Sequence, residues 1–297
     1  MAIVEYAQIF SNVLRELYAQ EMTSFELYNS NTDLQIINGN QIKIPKLSVS
    51  GYKDHNRGTL GFNTGTYTQD YDVKTLDHDR DVEFAIDPMD VDETNQVVSI
   101  ANIQKRFDTT QAIPEADAYT YSKIYSEYVR IGGTVKTEAL TVDNVLSDFD
   151  DNISKMEDAG VPLDRVILYC TTEYKNLLKN ANGVSRILQA NGEGNLDRRI
   201  KTVDDIKKIV TVPSARFKSL YDFTNGWAPG VGAKQIDYIL IDPESQVSRD
   251  KYSYIKVYTP GHDSRTADKY LYQNRKYNGT FAIDELMLEG CIIHAEK

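Results

Sequence analysis

The chain has 297 residues, a formal net charge of −11 and 41% hydrophobic residues, enough for a sizeable core in one elaborate domain or two. The acidic balance excludes a broad surface that grips nucleic acid, because neutralising phosphates takes an excess of Lys and Arg; enclosing nucleic acid without gripping it stays open. No run approaches the ~20 apolar residues of a membrane helix, and no basic-then-apolar signal follows Met1, so the expected setting is a cytoplasm.

Residues 1–28 have helical spacing at Ile9, Val13, Leu14 and Leu17, with Tyr6, Phe10 and Tyr18 added. An amphipathic helix this aromatic needs a cover, from its own chain or a neighbour. A polar stretch with a turn at Asn38-Gly39-Asn40 leads into residues 42–48, which alternate around Pro45 as an edge strand. Residues 51–70 carry Gly51, Gly58, Gly61 and Gly65 and read as a long loop. Alternation then resumes, with Leu76, His78, Arg80, Val82, Phe84 and Ile86 on one face and Val73, Thr75, Asp77, Asp79, Asp81 and Glu83 on the other. Strand, loop and strand predict an extended two-stranded arm, which is not stable in water without something to lie on.

Residues 88–129 read as a strut. Asp90, Asp92, Glu93, Thr94 and Asn95 supply an acidic, cap-rich helix start. Val97, Ile100, Ile103 and Phe107 form one stripe, and Tyr121, Ile124, Tyr125 and Tyr128 another. Pro114 either kinks one helix or begins a second; together the two stretches span roughly 60 Å at about 1.5 Å per residue. Gly132-Gly133 marks a boundary. Residues 133–262 then read as a compact unit on its own sheet. It has a helix capped by Thr141 and ending at Gly160, a strand at 166–170, and a helix capped by Thr171 or Thr172. Further strands fall at 203–212, 238–241 and 254–258. The tail is mostly strand, with a turn at Asn278-Gly279, and returns to the region of the strut. The first and last thirds are therefore expected to form one body and the middle a second.

The search for chemistry is negative. Asp77, Asp79 and Asp81 share a strand face and could cradle Ca²⁺ or Mg²⁺, yet Lys74 and Arg80 beside them favour a salt-bridging face. Asp148, Asp150 and Asp151 lack the spacing of a calcium loop, and Pro229–Lys234 lacks the phosphate-loop spacing. His55, His78, His262 and His294 are scattered, and Cys170 and Cys291 sit in apolar runs as inert thiols. No catalytic constellation and no cofactor site emerges. Twenty tyrosines against nine phenylalanines instead favour interfaces, since tyrosine offers contact area with a wet end.

The order of these segments resembles the major capsid proteins of tailed bacteriophages, whose Johnson fold is shared with herpesvirus capsid floors and encapsulin shells. The residues that carry the resemblance are IKIPKLSVSGYKDHNRG, VKTLDHDRDVEFAIDPMDVDETN, IPEADAYTYSKI, RVILYCTTEYKNLL and KYLYQNRKYNGTFAIDELMLEGCIIHA. Together they reach across nearly the whole chain. The resemblance implies an α+β fold divided into an N-arm (1–41), an E-loop with flanking P-domain strands (42–87), a P-domain spine helix (88–132), an A-domain (133–262) and a return to the P-domain (263–297). It implies a structural protein, not an enzyme, that self-assembles into hexamers and pentamers of an icosahedral head. The head would enclose double-stranded DNA without sequence-specific binding and be built in the host cytoplasm. The subunit interface would include Tyr6, Phe10 and Tyr18 of the N-arm and Tyr52, Lys53, Arg57, Phe62 and Tyr67 of the E-loop. Partners would be further copies, a portal and a separate scaffolding protein, because no scaffolding segment precedes the arm unless the chain is already processed; no membrane is involved. Some members crosslink a lysine to an asparagine through the E-loop; Lys53 and Asn56 lie there, but the sequence identifies neither a partner asparagine nor a catalytic acid. An encapsulin-like compartment is the nearest alternative. A metal-dependent enzyme using Asp77, Asp79 and Asp81 is the alternative from another class.

Overall fold

The computed structural model describes residues 22–28, 41–55, 58, 61–89, 100–181, 206–261 and 268–297. A single helical turn, α1 (Phe25–Tyr28), precedes the hairpin of β1 (Gln41–Val49) and β2 (Tyr67–Thr75). Strand β3 (His78–Ile86) leads towards the strut, formed by α2 (Ile100–Phe107), a π-helical turn (Asp108–Ala112) and α3 (Ile113–Arg130). Then come α4 (Val145–Asp158), β4 (Ile167–Cys170), α5 (Thr172–Asn180) and β5 (Lys208–Thr211). Two-residue strands β6 (Tyr221–Asp222) and β7 (Ala228–Pro229) precede β8 (Ile236–Ile241), β9 (Gln246–Tyr258) and β10 (Tyr270–Ala282). The chain closes with α6 (Asp284–Gly290) and β11 (Cys291–Ala295).

Strands β11, β8, β4 and β5 form the central sheet in that order, with β4 and β5 parallel and the other pairs antiparallel. Both faces are covered, so its strands are mostly apolar, with Asp237 and His294 paired to each other. Ile167, Tyr169, Ile239, Ile241 and Ile293 meet Tyr121, Ile124 and Tyr128 of α3. Leu168, Cys170, Tyr238 and Leu240, on the opposite face, meet Val145, Phe149 and Met156 of α4 and Tyr174 and Leu178 of α5. A second sheet, β3-β10-β9, carries the other half of the fold. The tail thus enters both sheets, β10 between β3 and β9, and β11 beside β8.

Pro114 stands in the first turn of α3, and the π turn joins that helix to α2 without a break in the strut. The π turn routes the Ile113 N–H to the Asp108 carbonyl, so the backbone is already widened where the proline lacks its donor and its ring needs room. Thr109 and Thr110 use their hydroxyls as extra donors, to the carbonyls of Lys105 (2.9 Å) and Arg106 (2.7 Å) respectively. Other expectations need correction. The alternating run across Thr75–His78 is two strands in two sheets, because Leu76 turns into a small core with Ile42, Ile44 and Phe281. Asn278-Gly279 is not a turn but lies inside β10, at a register shift against β9. The glycine is there for close approach, since a Cβ would sit 2.5 Å from Leu76 Cδ2. Leu286 and Leu288, read as strand, are exposed on α6 while Met287 is buried. Helix α4 starts after Asn144 rather than Thr141, whose N–H the Asn144 side chain accepts at 2.7 Å. Thr171 does cap α5, accepting from the Tyr174 N–H.

Asp117, in the second turn of α3, has no exposed side-chain surface. Its carboxylate accepts from the Thr23 N–H and hydroxyl (3.2 and 2.8 Å) and from the Ser24 N–H and hydroxyl (3.0 and 2.8 Å). Arg216 adds a fifth donor at 3.3 Å. These bonds tie the segment that carries α1 to the strut and satisfy N–H groups at its first turn. Leu27 and the Gln246 side chain, which donates to the Leu27 carbonyl at 2.6 Å, complete the attachment. Asp117→Ala is expected to cost about 3–5 kcal/mol, the range for removing one member of a buried charged pair, measured by chemical denaturation of the subunit. A loss below 1 kcal/mol would contradict this role.

Candidate assembly surface

The arm formed by β1 and β2 is held at its base and exposed beyond it. Ile42 and Ile44 are buried against Leu76 and Phe281, and from Pro45 onward every residue of β1 is exposed. On β2, only Asp72 and Lys74 are partly covered. The consequence is an arm that displays Leu47, Val49, Tyr67, Tyr71 and Val73, with Tyr52 and Phe62 fully in solvent near its tip. By the register Leu47, Val49, Tyr67, Tyr71 and Val73 share one face, opposite the face that buries Ile42 and Ile44, and such an apolar face on a two-stranded ribbon is unusual for a surface meant to stay wet. Of the residues expected at a subunit interface, Tyr52, Lys53, Phe62 and Tyr67 are exposed. Tyr6, Phe10, Tyr18 and Arg57 lie outside the described residues.

Ion pairs at the base set the direction of the arm. Lys74 reaches Asp72 (2.8 Å) and Asp284 (3.2 Å), and Asp284 also meets Arg130 (2.7 Å), which pairs with Glu127 (3.0 Å). Burial raises the pKa of Asp284, but the Arg130 and Lys74 bonds outweigh it and hold the carboxyl below its usual range. Lys46 pairs with Glu285 at 2.6 Å further out. The arm is thereby linked to the end of the strut and to α6. Sequence reading missed these partners because they come together from four separate elements.

The three aspartates proposed for a cation do not build a site. Asp77 lies between β2 and β3, where it accepts from Lys123 Nζ (2.6 Å) and the Tyr119 hydroxyl (2.7 Å). Burial works against its ionisation, but those two bonds prevail and lower its pKa. Asp79 accepts two bonds from Arg275, at 3.0 and 2.5 Å, which lower its pKa. Asp81 stands opposite Arg275 in the register of β3 and β10. Among the described residues no group of three His, Cys, Asp or Glu side chains is placed to hold a metal. Asp148 is likewise engaged, by Lys136 (2.6 Å) and the Tyr238 hydroxyl (2.5 Å). Both cysteines are buried, and burial pushes the Cys170 thiol up to about 12 and Cys291 higher still, which suits inert thiols.

On the other face of β3, Arg80 works as a clasp. Its guanidinium donates to Glu115 of the strut (2.7 Å), to the Phe223 carbonyl, and to the Gly226 carbonyl (3.2 Å). His78 stacks on Tyr119 with centroids 3.9 Å apart and meets Phe223 edge-on. Burial, helped by the charge of Arg80, pushes the His78 pKa down to about 4. The clasp joins β3, the strut and the loop between β6 and β7, and it is a packing device rather than a reactive one.

No protein-family model and no curated protein matches the sequence. Solved structures do. The mature capsid of bacteriophage PhiM1 aligns over 87% of this chain and 82% of its own at 15% identity, with a TM-score of 0.63. The capsid structure of cyanophage P-SCSP1u aligns over 89% of this chain and 85% of its own at 13% identity, also with a TM-score of 0.63. A structure from Mycobacterium phage Che8 covers 86% of this chain and 85% of its own at 13% identity, with a TM-score of 0.58. The chain has the α+β fold of these phage proteins, as the order of its segments had suggested.

His78 has a pH consequence of definite sign. Its folded pKa lies below the unfolded value, so the unfolded chain binds the proton more readily, and stability falls as pH drops below 6.5 towards 4. The loss attributable to this residue is roughly 3 kcal/mol by pH 4. His78→Gln is expected to flatten that part of the stability profile, followed by denaturant titrations at pH 4, 5, 6 and 7; an unchanged profile would refute the assignment.

Proposed function

We propose that this chain is the major capsid protein of a tailed phage, a structural subunit that self-assembles into the hexamers and pentamers of an icosahedral head. The observation that carries the reading is the likeness of fold to two phage capsid structures over 87% and 89% of the chain. The exposed apolar arm supports it, because a second copy lying under the arm would cover what the described residues leave bare. In this reading residues 42–87 are the E-loop and its flanking strands, 88–132 the spine, 133–262 the A-domain, and 1–41 with 263–297 the N-arm and the return to the P-domain. Tyr52, Lys53, Phe62 and Tyr67 make contacts between copies, with Tyr6, Phe10, Tyr18 and Arg57 assigned to the same interface.

The net charge of −11 suits a shell that encloses double-stranded DNA without adhering to it. The portal and a separate scaffolding protein are the further partners, the virion the final location and the host cytoplasm the place of assembly. No catalytic step belongs to this function.

The purified protein is expected to form capsomers or closed particles, visible by negative-stain microscopy and light scattering; a stable monomer at every concentration would sink the proposal. Deleting residues 52–69 should leave the rest of the subunit folded but abolish closed shells. The double substitution Tyr52→Ser and Phe62→Ser should shift subunit stability by no more than about 0.5 kcal/mol, as for other exposed sites, while reducing assembly. Normal shells from either variant would remove the arm from the interface.

A further inference from the structure

The strut changes helical type in one place only among the described residues, at Asp108–Ala112. A π turn is a wider and less favourable backbone than the α-helix around it, and the missing N–H of Pro114 follows at once. Beside this turn lies a cavity of about 930 Å³, walled by Phe107, Asp108 and Gln111 of the strut, Phe84 of β3 and Tyr252 of β9. The Asp108 carboxyl is half-buried there and has no hydrogen bond or ion pair among the described residues. Four residues earlier, on the same helix face, Gln104 is fully buried, and neither atom of its amide has a hydrogen-bond partner among the described residues. The amide lies beside the Tyr272 hydroxyl without closing a bond to it.

The ionisable groups around the cavity are Tyr28 of α1, His78, Arg80 and Asp81 of β3, and Glu115 of α3. Arg249, Asp250, Lys251 and Tyr252 of β9 and Lys276 of β10 complete the lining, and Tyr272 of β10 feels the Asp108 charge. Arg80 is engaged by Glu115 and Lys276 by Asp250. No cation offsets the desolvation of Asp108, which pushes its pKa up to about 6.

We propose that the π turn Asp108–Ala112 is an acid-responsive hinge in the strut, with the Asp108 carboxyl as its sensor. Ionised, the carboxylate is an uncompensated charge against Phe84 and Phe107 and favours opening of the turn towards water. Protonated, it becomes a donor that the orphan Gln104 carbonyl oxygen can accept, and the turn closes. The folded pKa is above the unfolded value of 3.8, so the closed turn gains stability as pH falls through about 6 and loses it as pH rises. His78 acts in the opposite direction on the same cavity wall. The hinge rests on the geometry of the single chain and does not depend on assembly.

The test is hydrogen exchange of the full chain between pH 7.5 and 5, corrected for intrinsic rates, at the amides of Gln111, Ala112, Ile113 and Glu115. Protection should rise at least about tenfold with a midpoint near 6, within the roughly hundredfold ceiling set by a carboxyl raised from 3.8 to about 6. Asp108→Asn should be protected throughout and show no transition, whereas His78→Gln and Glu115→Gln should keep it. A flat profile in the parent chain, a transition surviving in Asp108→Asn, or one abolished by Glu115→Gln would overturn the proposal. Should Asp108→Asn fail to fold, the carboxyl ¹³C shift of Asp108 in the parent chain decides: titration near 6 supports the hinge, and titration near 4 overturns it.

Discussion

The fold depends on burying helix α3 on nearly every side. One face supplies Tyr121, Ile124 and Tyr128 to the central sheet, and the other places Ile113, Ala116 and Tyr119 under β3, β10 and the α1 segment. A helix in that position cannot carry a polar side chain without a partner. Each one it carries is satisfied: Asp117 by Thr23, Ser24 and Arg216, Thr120 and Ser122 by the preceding turn, and Glu127 by Arg130. The partners of Asp117 lie far away in the chain, so satisfying it fixes where the N-terminal segment and Arg216 sit. The strut therefore organises the molecule through polar pairing as much as through apolar area.

The arm follows the opposite economy. Its root is locked by Ile42, Ile44 and the Lys74–Asp284–Arg130 ion pairs, and its outer half stays exposed among the described residues. Such pairs are individually weak where exposed, so they orient the arm more than they stabilise it. A rigid root with an uncovered ribbon is what contact with another copy requires, because the arm arrives in a defined direction with its apolar side chains free.

Polar clusters that resembled sites in the sequence turn out to hold elements together. Asp77 joins β3 to the strut through Lys123 and Tyr119, Asp79 ties β3 to β10 through Arg275, and Asp148 anchors α4 to β8 through Tyr238. A row of carboxylates on one strand looks like a cation cradle only while its cross-strand neighbours are unknown. Once Arg275 stands opposite, the same row is a salt-bridged surface. Asp108, a carboxyl with no such partner among the described residues, was invisible in the sequence because nothing in its local pattern sets it apart.

The order of segments pointed to the fold, and what else the sequence by itself determined was local: the alternation of β3, the stripes of α3 and α4, a threonine cap on α5 at Thr171 or Thr172, and the two-stranded arm. Each depends on residues within a turn or a pleat of one another, where side-chain periodicity decides. Tertiary structure decided the rest. It split the run at Leu76 between two sheets, ran β10 straight through the apparent turn at Asn278-Gly279, and carried the strut through Pro114 on a π turn. In each case a distant partner outweighed a local preference: Phe281 under Leu76, β3 and β9 on either side of β10, and the sheets on either side of α3. Such partners, as far apart as Tyr28 and Asn278, are set by packing and pairing that no short window contains.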